Sequence, residues 1–168
     1  MEPLNRTRTA ALLLLAAALA APAPAGPRAL PPLTLVDASG TAATGTSLTQ
    51  PASWVMLVVD AEKHLTAAVL PRLQRKDGDW EGRLVVVAAG SAAAFERMVA
   101  QNDKLAGVRW YRDTSGQLLD RLALSGTPVL LGMRADNVIA WQIATIPEAP
   151  EKAQGVVTSW IDRAAPEH

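Results

Sequence analysis

Two runs of aliphatic residues limit this chain to few architectures. Ser53 to Val59 reads Ser-Trp-Val-Met-Leu-Val-Val, and Arg83 to Ala89 reads Arg-Leu-Val-Val-Val-Ala-Ala. Neither alternates polar with apolar residues, so neither suits a strand with one wet face. Such runs mark strands covered on both faces, as in a mostly parallel sheet. Between them Leu65, Val69, Leu70 and Leu73 recur at helical spacing. Asp60 ends the first run and is expected to cap the helix that follows. Pro71 falls inside that helix and is expected to kink it by removing a backbone donor.

The same reading extends along the chain. Asp77-Gly78-Asp79 closes the first helical segment. Ser91 predicts the cap of a helix running to about Leu105, with Phe95, Met98 and Val99 on its apolar face. Val108–Tyr111 is a short strand, Asp113–Gly116 a turn, and Leu118, Leu119 and Leu122 form a short helix. Pro128–Gly132 and Val138–Ala144 are strands joined by the polar turn Arg134–Asn137, which suits an antiparallel hairpin. Glu148–Arg163 predicts a last helix packing Val156, Val157, Trp160 and Ile161. Upstream, Leu33–Val36 predicts a short edge strand, and the Thr-rich stretch Thr41–Gln50 a loop. The order is β, β-α-β-α-β-α, then β-β-α. It predicts an α/β domain over residues 33–163, a mixed central sheet with helices on both faces and a C-terminal hairpin plus helix.

Composition narrows the function. The chain has 168 residues, 49% of them hydrophobic, and formal net charge zero. A neutral chain offers no clustered cationic surplus for phosphate backbones, so a nucleic-acid partner is not expected. It contains no cysteine. Disulfides, thiolate metal sites and thiol catalysis are therefore excluded by chemistry. At the N-terminus, Arg6 and Arg8 precede an Ala/Leu run from Ala10 to Ala21. That run is short beside the roughly 20 apolar residues of a spanning helix. It suits a secretory signal, with Ala23-Pro24-Ala25 as a cleavage site before Gly26. A second cut site follows Ala20, and an uncleaved leader would tether the protein to the membrane. The expected layout is a signal peptide over 1–25, a Pro/Ala-rich extended and poorly packed lead-in over 26–32, the domain, and a tail over 164–168. The expected location is periplasmic or otherwise extracytoplasmic.

Two landmarks carry a family resemblance. The first is the strand from Trp54, the following turn, and the helix that reaches Pro71. The second is Asp113-Thr114-Ser115-Gly116, followed by Leu122-Ala123-Leu124-Ser125-Gly126-Thr127-Pro128. Together with the element order, they resemble the thioredoxin-like superfamily, especially its exported TlpA-type thiol:disulfide oxidoreductase branch. The resemblance covers about Leu33 to Ile161. In that branch a C-x-x-C motif opens the helix, and a proline follows five residues after the second cysteine. Counting back from Pro71 places the two positions at Thr66 and Lys63, so the vestigial motif reads Lys63-His64-Leu65-Thr66. The second landmark resembles the family's D-x-x-G … G-T-P segment, whose proline is cis. The resemblance implies dithiol chemistry that this chain has no residue to perform. The Ala-rich, Trp-containing composition also resembles thioredoxin-like proteins of integrating conjugative elements.

Three uses remain for such a site. A groove beside Gly126, Thr127 and Pro128 would bind an extended peptide by added-strand hydrogen bonding. His64, Asp60 and Thr66 would form an acid–base site, although a helix N-terminus disfavours an imidazolium. Asp60, Glu62 and His64 make a poor metal set, with one histidine and two carboxylates, and His168 lies on the tail. No metal and no cofactor are expected. Trp54 and Trp160 are expected in the core; Trp80, in a polar loop, reads as a packed lid over the first helix, with an exposed interface anchor as the alternative. The leading expectation is an exported, redox-inactive, protein-binding accessory or scaffold in an envelope machinery, with conjugative transfer as one setting. The alternatives are a non-thiol enzyme, which needs a concave pocket at His64, and a small-ligand carrier. A scaffold needs exposed apolar surface instead. The expected partner is an envelope protein or an extended peptide segment.

Overall fold

A computed structural model describes residues 27–76 and 78–163. The expected signal peptide, its cleavage site, the tail and Asp77 lie outside the described residues. The two aliphatic runs form β4 (Trp54–Asp60) and β5 (Leu84–Ala89), which pair in parallel. Every residue from Trp54 to Val59 and from Leu84 to Ala88 is fully buried. That is the burial that an uninterrupted apolar run demands. β6 (Val108–Asp113) continues the parallel set beside β5. β7 (Val129–Met133) runs antiparallel to β4, and β8 (Val138–Ile143) antiparallel to β7. With β1 (Arg28–Ala29), β2 (Thr34–Asp37) and β3 (Ala42–Thr44), the sheet has eight strands in the order β1-β8-β7-β4-β5-β6-β2-β3.

Alternate residues of the central strands feed two cores. Val55, Leu57, Val59, Leu84 and Val86 face α1 (His64–Val69), α2 (Ala92–Gln101) and α4 (Pro150–Ile161). Trp54, Met56, Val58, Val85 and Val87 face α3 (Leu118–Leu122) and the N-terminal segment around Leu33, Leu35 and Leu48. Helices therefore cover both faces, as expected. Trp80 is buried, and its indole Nε1–H donates to the Leu73 carbonyl at 2.9 Å. It forms the lid over the end of the first helical segment.

Several elements depart from expectation. β2 is not an edge strand, because β3 pairs outside it and β6 inside it. The expected loop Thr41–Gln50 holds β3 and a 3-10 turn, Gly45–Leu48, whose Leu48 is fully buried. In the lead-in, Arg28 and Ala29 pair with Ile139 and Val138. The Arg28 guanidinium also donates to the Leu122 carbonyl, so this segment is packed rather than loose. Pro71 does not kink α1. The α-helix stops at Val69, and Leu70–Leu73 closes as a 3-10 turn with the proline in its first positions. α2 is capped by Ser91 as expected but ends at Gln101, where Asn102 Nδ2 donates back to the Met98 carbonyl. Trp54 is in the core, whereas Trp160 is half-buried at its margin.

Candidate functional site

Val58 of β4 pairs with Val129 of β7 in an antiparallel register. The turn that leaves β4 and the loop that enters β7 therefore lie at the same end of the sheet. This brings Lys63-His64-Leu65-Thr66 and Gly126-Thr127-Pro128 to one end of the molecule, although the two segments are far apart in sequence.

The first segment is held by Asp60. Its Oδ1 accepts the Glu62 N–H at 3.0 Å, and its Oδ2 lies 3.4 Å from Lys63 Nζ. Its carbonyl accepts the Lys63 N–H and, at 2.6 Å, the Thr66 hydroxyl. Asp60 thus organises the turn and does not cap α1. The N-cap position is Lys63, with no side-chain cap. Asp60 instead sits within the strand, too far upstream to reach the first free N–H groups of the helix. Thr66, at the second vestigial thiol position, is buried, and its hydroxyl is satisfied locally. Glu62 reaches across and accepts the Ser91 N–H at 3.2 Å, tying the turn to the start of α2.

Lys63, His64 and Leu65 are exposed. Leu65 departs from the expected apolar face of α1, which is formed by Val69 and continued by Leu70 and Leu73 in the following turn. At 47% exposure, Leu65 is the one large hydrophobic residue left exposed among the described residues. His64 makes no side-chain hydrogen bond to Asp60 or Thr66. The Asp60 carboxylate is engaged by Lys63 and Glu62, and the Thr66 hydroxyl donates to a carbonyl. Among the described residues no group of three His, Asp or Glu is placed to hold a metal ion.

In the second segment, the Thr127–Pro128 peptide is cis. The Thr127 hydroxyl oxygen is buried without a hydrogen-bond partner. Its backbone N–H and carbonyl make no hydrogen bond to another described residue. Pro128 precedes β7, whereas the sequence pattern started the strand at Pro128 itself.

A cleft of about 70 Å³ opens between α1 and α2. Lys63 and Thr66 line it from one side, and Arg97, Met98, Gln101 and Asn102 from the other. Sequence reasoning passed over Arg97 and Gln101. Their one signal was the four-residue spacing that puts both on one helical face. A larger groove of about 780 Å³ runs between Pro71–Lys76 and α4. It shares no residue with either vestigial segment, whereas the small cleft includes Lys63 and Thr66.

No protein-family model matches the chain, and no curated protein matches it. Solved structures do. A secreted disulfide oxidoreductase of Mycobacterium tuberculosis is 18% identical, with a TM-score of 0.57 over 75% of this chain and 94% of that one. A thiol:disulfide interchange protein of Chlorobium tepidum, of the thioredoxin family, is 14% identical, with a TM-score of 0.61 over 83% and 99%. An exposed lipoprotein thioredoxin of Streptococcus pneumoniae is 13% identical, with a TM-score of 0.58 over 76% and 98%. The fold of this chain is thioredoxin-like, and the chain has no cysteine.

Proposed function

We propose that this chain is an exported, redox-inactive domain that binds protein partners. It uses the face made by the Lys63–Thr66 turn and the Gly126–Pro128 loop. Its role is that of an accessory or scaffold in an envelope machinery, such as a conjugative-transfer apparatus. One observation carries the reading. Leu65 is the large hydrophobic side chain left in water, and it stands between the two vestigial thiol positions. A single exposed leucine is ordinary on a protein surface. Its position, at the same sheet end as the unpaired Thr127 backbone, is what gives it meaning. An extended segment laid along Thr127 gains main-chain hydrogen bonds and can cover Leu65 with a side chain. Export is supported by the short apolar leader, and two of the structural neighbours are described as secreted or exposed.

A photo-crosslinking amino acid at position 65 tests the reading in cells, with the same group at exposed Lys104, which precedes β6 at the other end of the sheet, as control. Discrete adducts in the envelope fraction are expected from position 65 alone. Leu65→Asp should abolish binding of the adduct partner, while His64→Ala should leave it intact. Equal labelling from both positions would overturn the proposal. So would loss of binding in His64→Ala with Leu65→Asp unaffected.

A further inference from the structure

The cleft between α1 and α2 is lined by two cations and by no carboxylate. Lys63 stands at the first vestigial thiol position and is exposed at the turn. Arg97 is an exposed residue of α2, and it has no ion-pair partner among the described residues. Gln101, one turn further on, adds an exposed amide. Of the acids nearby, Asp60 already pairs with Lys63 at 3.4 Å, which leaves Arg97 as the cation of the lining without an ion pair among the described residues, and Glu62 accepts the Ser91 N–H. At about 70 Å³, the cleft is the size of one short side chain.

We propose that this cleft receives an acidic side chain of the bound partner, an Asp or Glu in the extended segment that lies over Leu65. This rests on the protein-binding reading above and names the chemistry that the partner must carry. Lys63 takes over the position of an attacking thiol as a recognition cation. Arg97 supplies the planar fork that matches a carboxylate. A carboxylate placed there shares Lys63 with Asp60, so Arg97 is its principal cation. A cysteine in the partner is not required.

The test measures binding of the full chain to fluorescein-labelled decapeptides with a central leucine. One flanking position is varied as Glu, Gln or Lys, and the set scans that position along the peptide. At one register the Glu peptide should bind about tenfold more tightly than its Gln isostere, a difference typical of a charge-assisted contact. The advantage should shrink as salt rises. Lys63→Gln and Arg97→Gln should each bring the ratio of Glu-peptide to Gln-peptide affinity toward one, read as that ratio within each variant. Equal binding of Glu and Gln peptides at every register, still lost in Leu65→Asp, overturns the acidic cleft and leaves the protein-binding reading standing. Binding of no peptide, together with no adduct from position 65, overturns both.

Discussion

Thr66 shows how a position that the fold reserves for a thiol can be filled without one. It is buried, so a bare hydroxyl there would carry a desolvation cost of about 1–3 kcal/mol. The Asp60 carbonyl, 2.6 Å away, removes that cost. Thr66→Val keeps the branched shape and deletes the bond. The carbonyl still accepts the Lys63 N–H, so it is not orphaned. A loss of about 0.5–1.5 kcal/mol in denaturant unfolding is the expected result. Unchanged stability would show that the hydroxyl holds nothing. Asp37 is a second case of local wiring. Its carboxylate accepts the Ser39 hydroxyl and the N–H groups of Ser39 and Thr41 in the turn between β2 and β3. These bonds, the Ser39 hydroxyl first, hold its pKa below the ordinary carboxylate value. A depressed folded pKa adds stability above the unfolded pKa, and that stability is lost as pH falls through the folded one. NMR titration should find Asp37 titrating low, and Ser39→Ala should move it upward. An unmoved Asp37 in that variant would contradict the assignment.

At the scale of elements, length decided what could be read. β4, β5 and the β7–β8 hairpin were legible, because five to seven consecutive apolar or alternating residues leave few choices. β1 and β3 were not, since two or three residues carry no periodicity and Ala42, Ala43 and Thr44 are as common in loops. Leu65 was misread for a related reason. Helical spacing groups it with Val69, but the buried side of this six-residue helix is set by Thr66 and Val69, and Leu65 falls outside it. The pairing of the two candidate segments at one sheet end is not legible in either segment, because it depends on the β4–β7 register. Within the hairpin, Gly132 has a role that no local pattern announces. A Cβ there would lie 2.0 Å from Trp141 Cε2, and that ring packs edge-on against Trp160 at 5.7 Å. Gly132→Ala must displace Trp141 and break this contact. The expected cost is about 1–3 kcal/mol, the usual range for overpacking, with a change in tryptophan fluorescence. A variant that melts and fluoresces like the parent would show that the ring moves freely.

For the molecule as a whole, the question is where the folded domain begins. The expected cleavage lies before Gly26, two residues upstream of Arg28. Arg28 is already structural. It pairs with Ile139 on β8, and its guanidinium reaches the Leu122 carbonyl at the end of α3 and the Gln142 side chain. Leu30 packs against the second core and donates its N–H to Asn137. The β1 segment therefore joins three parts of the fold and covers part of the β8 edge, which would otherwise offer unpaired backbone groups. A cut before Gly26 keeps all of these contacts. A chain starting at Pro31 loses them, including the partly buried bond to Leu122 and the Leu30 side chain. At about 1 kcal/mol per hydrogen bond plus the apolar area of one leucine, that chain should be less stable by about 2–4 kcal/mol. N-terminal sequencing of the extracytoplasmic fraction should begin at Gly26, and thermal melts should rank the Gly26 chain above the Pro31 chain. Full-length protein recovered from the cytosol would refute export. Equal melting of the two chains would show that β1 is an ornament on the sheet rather than a part of it.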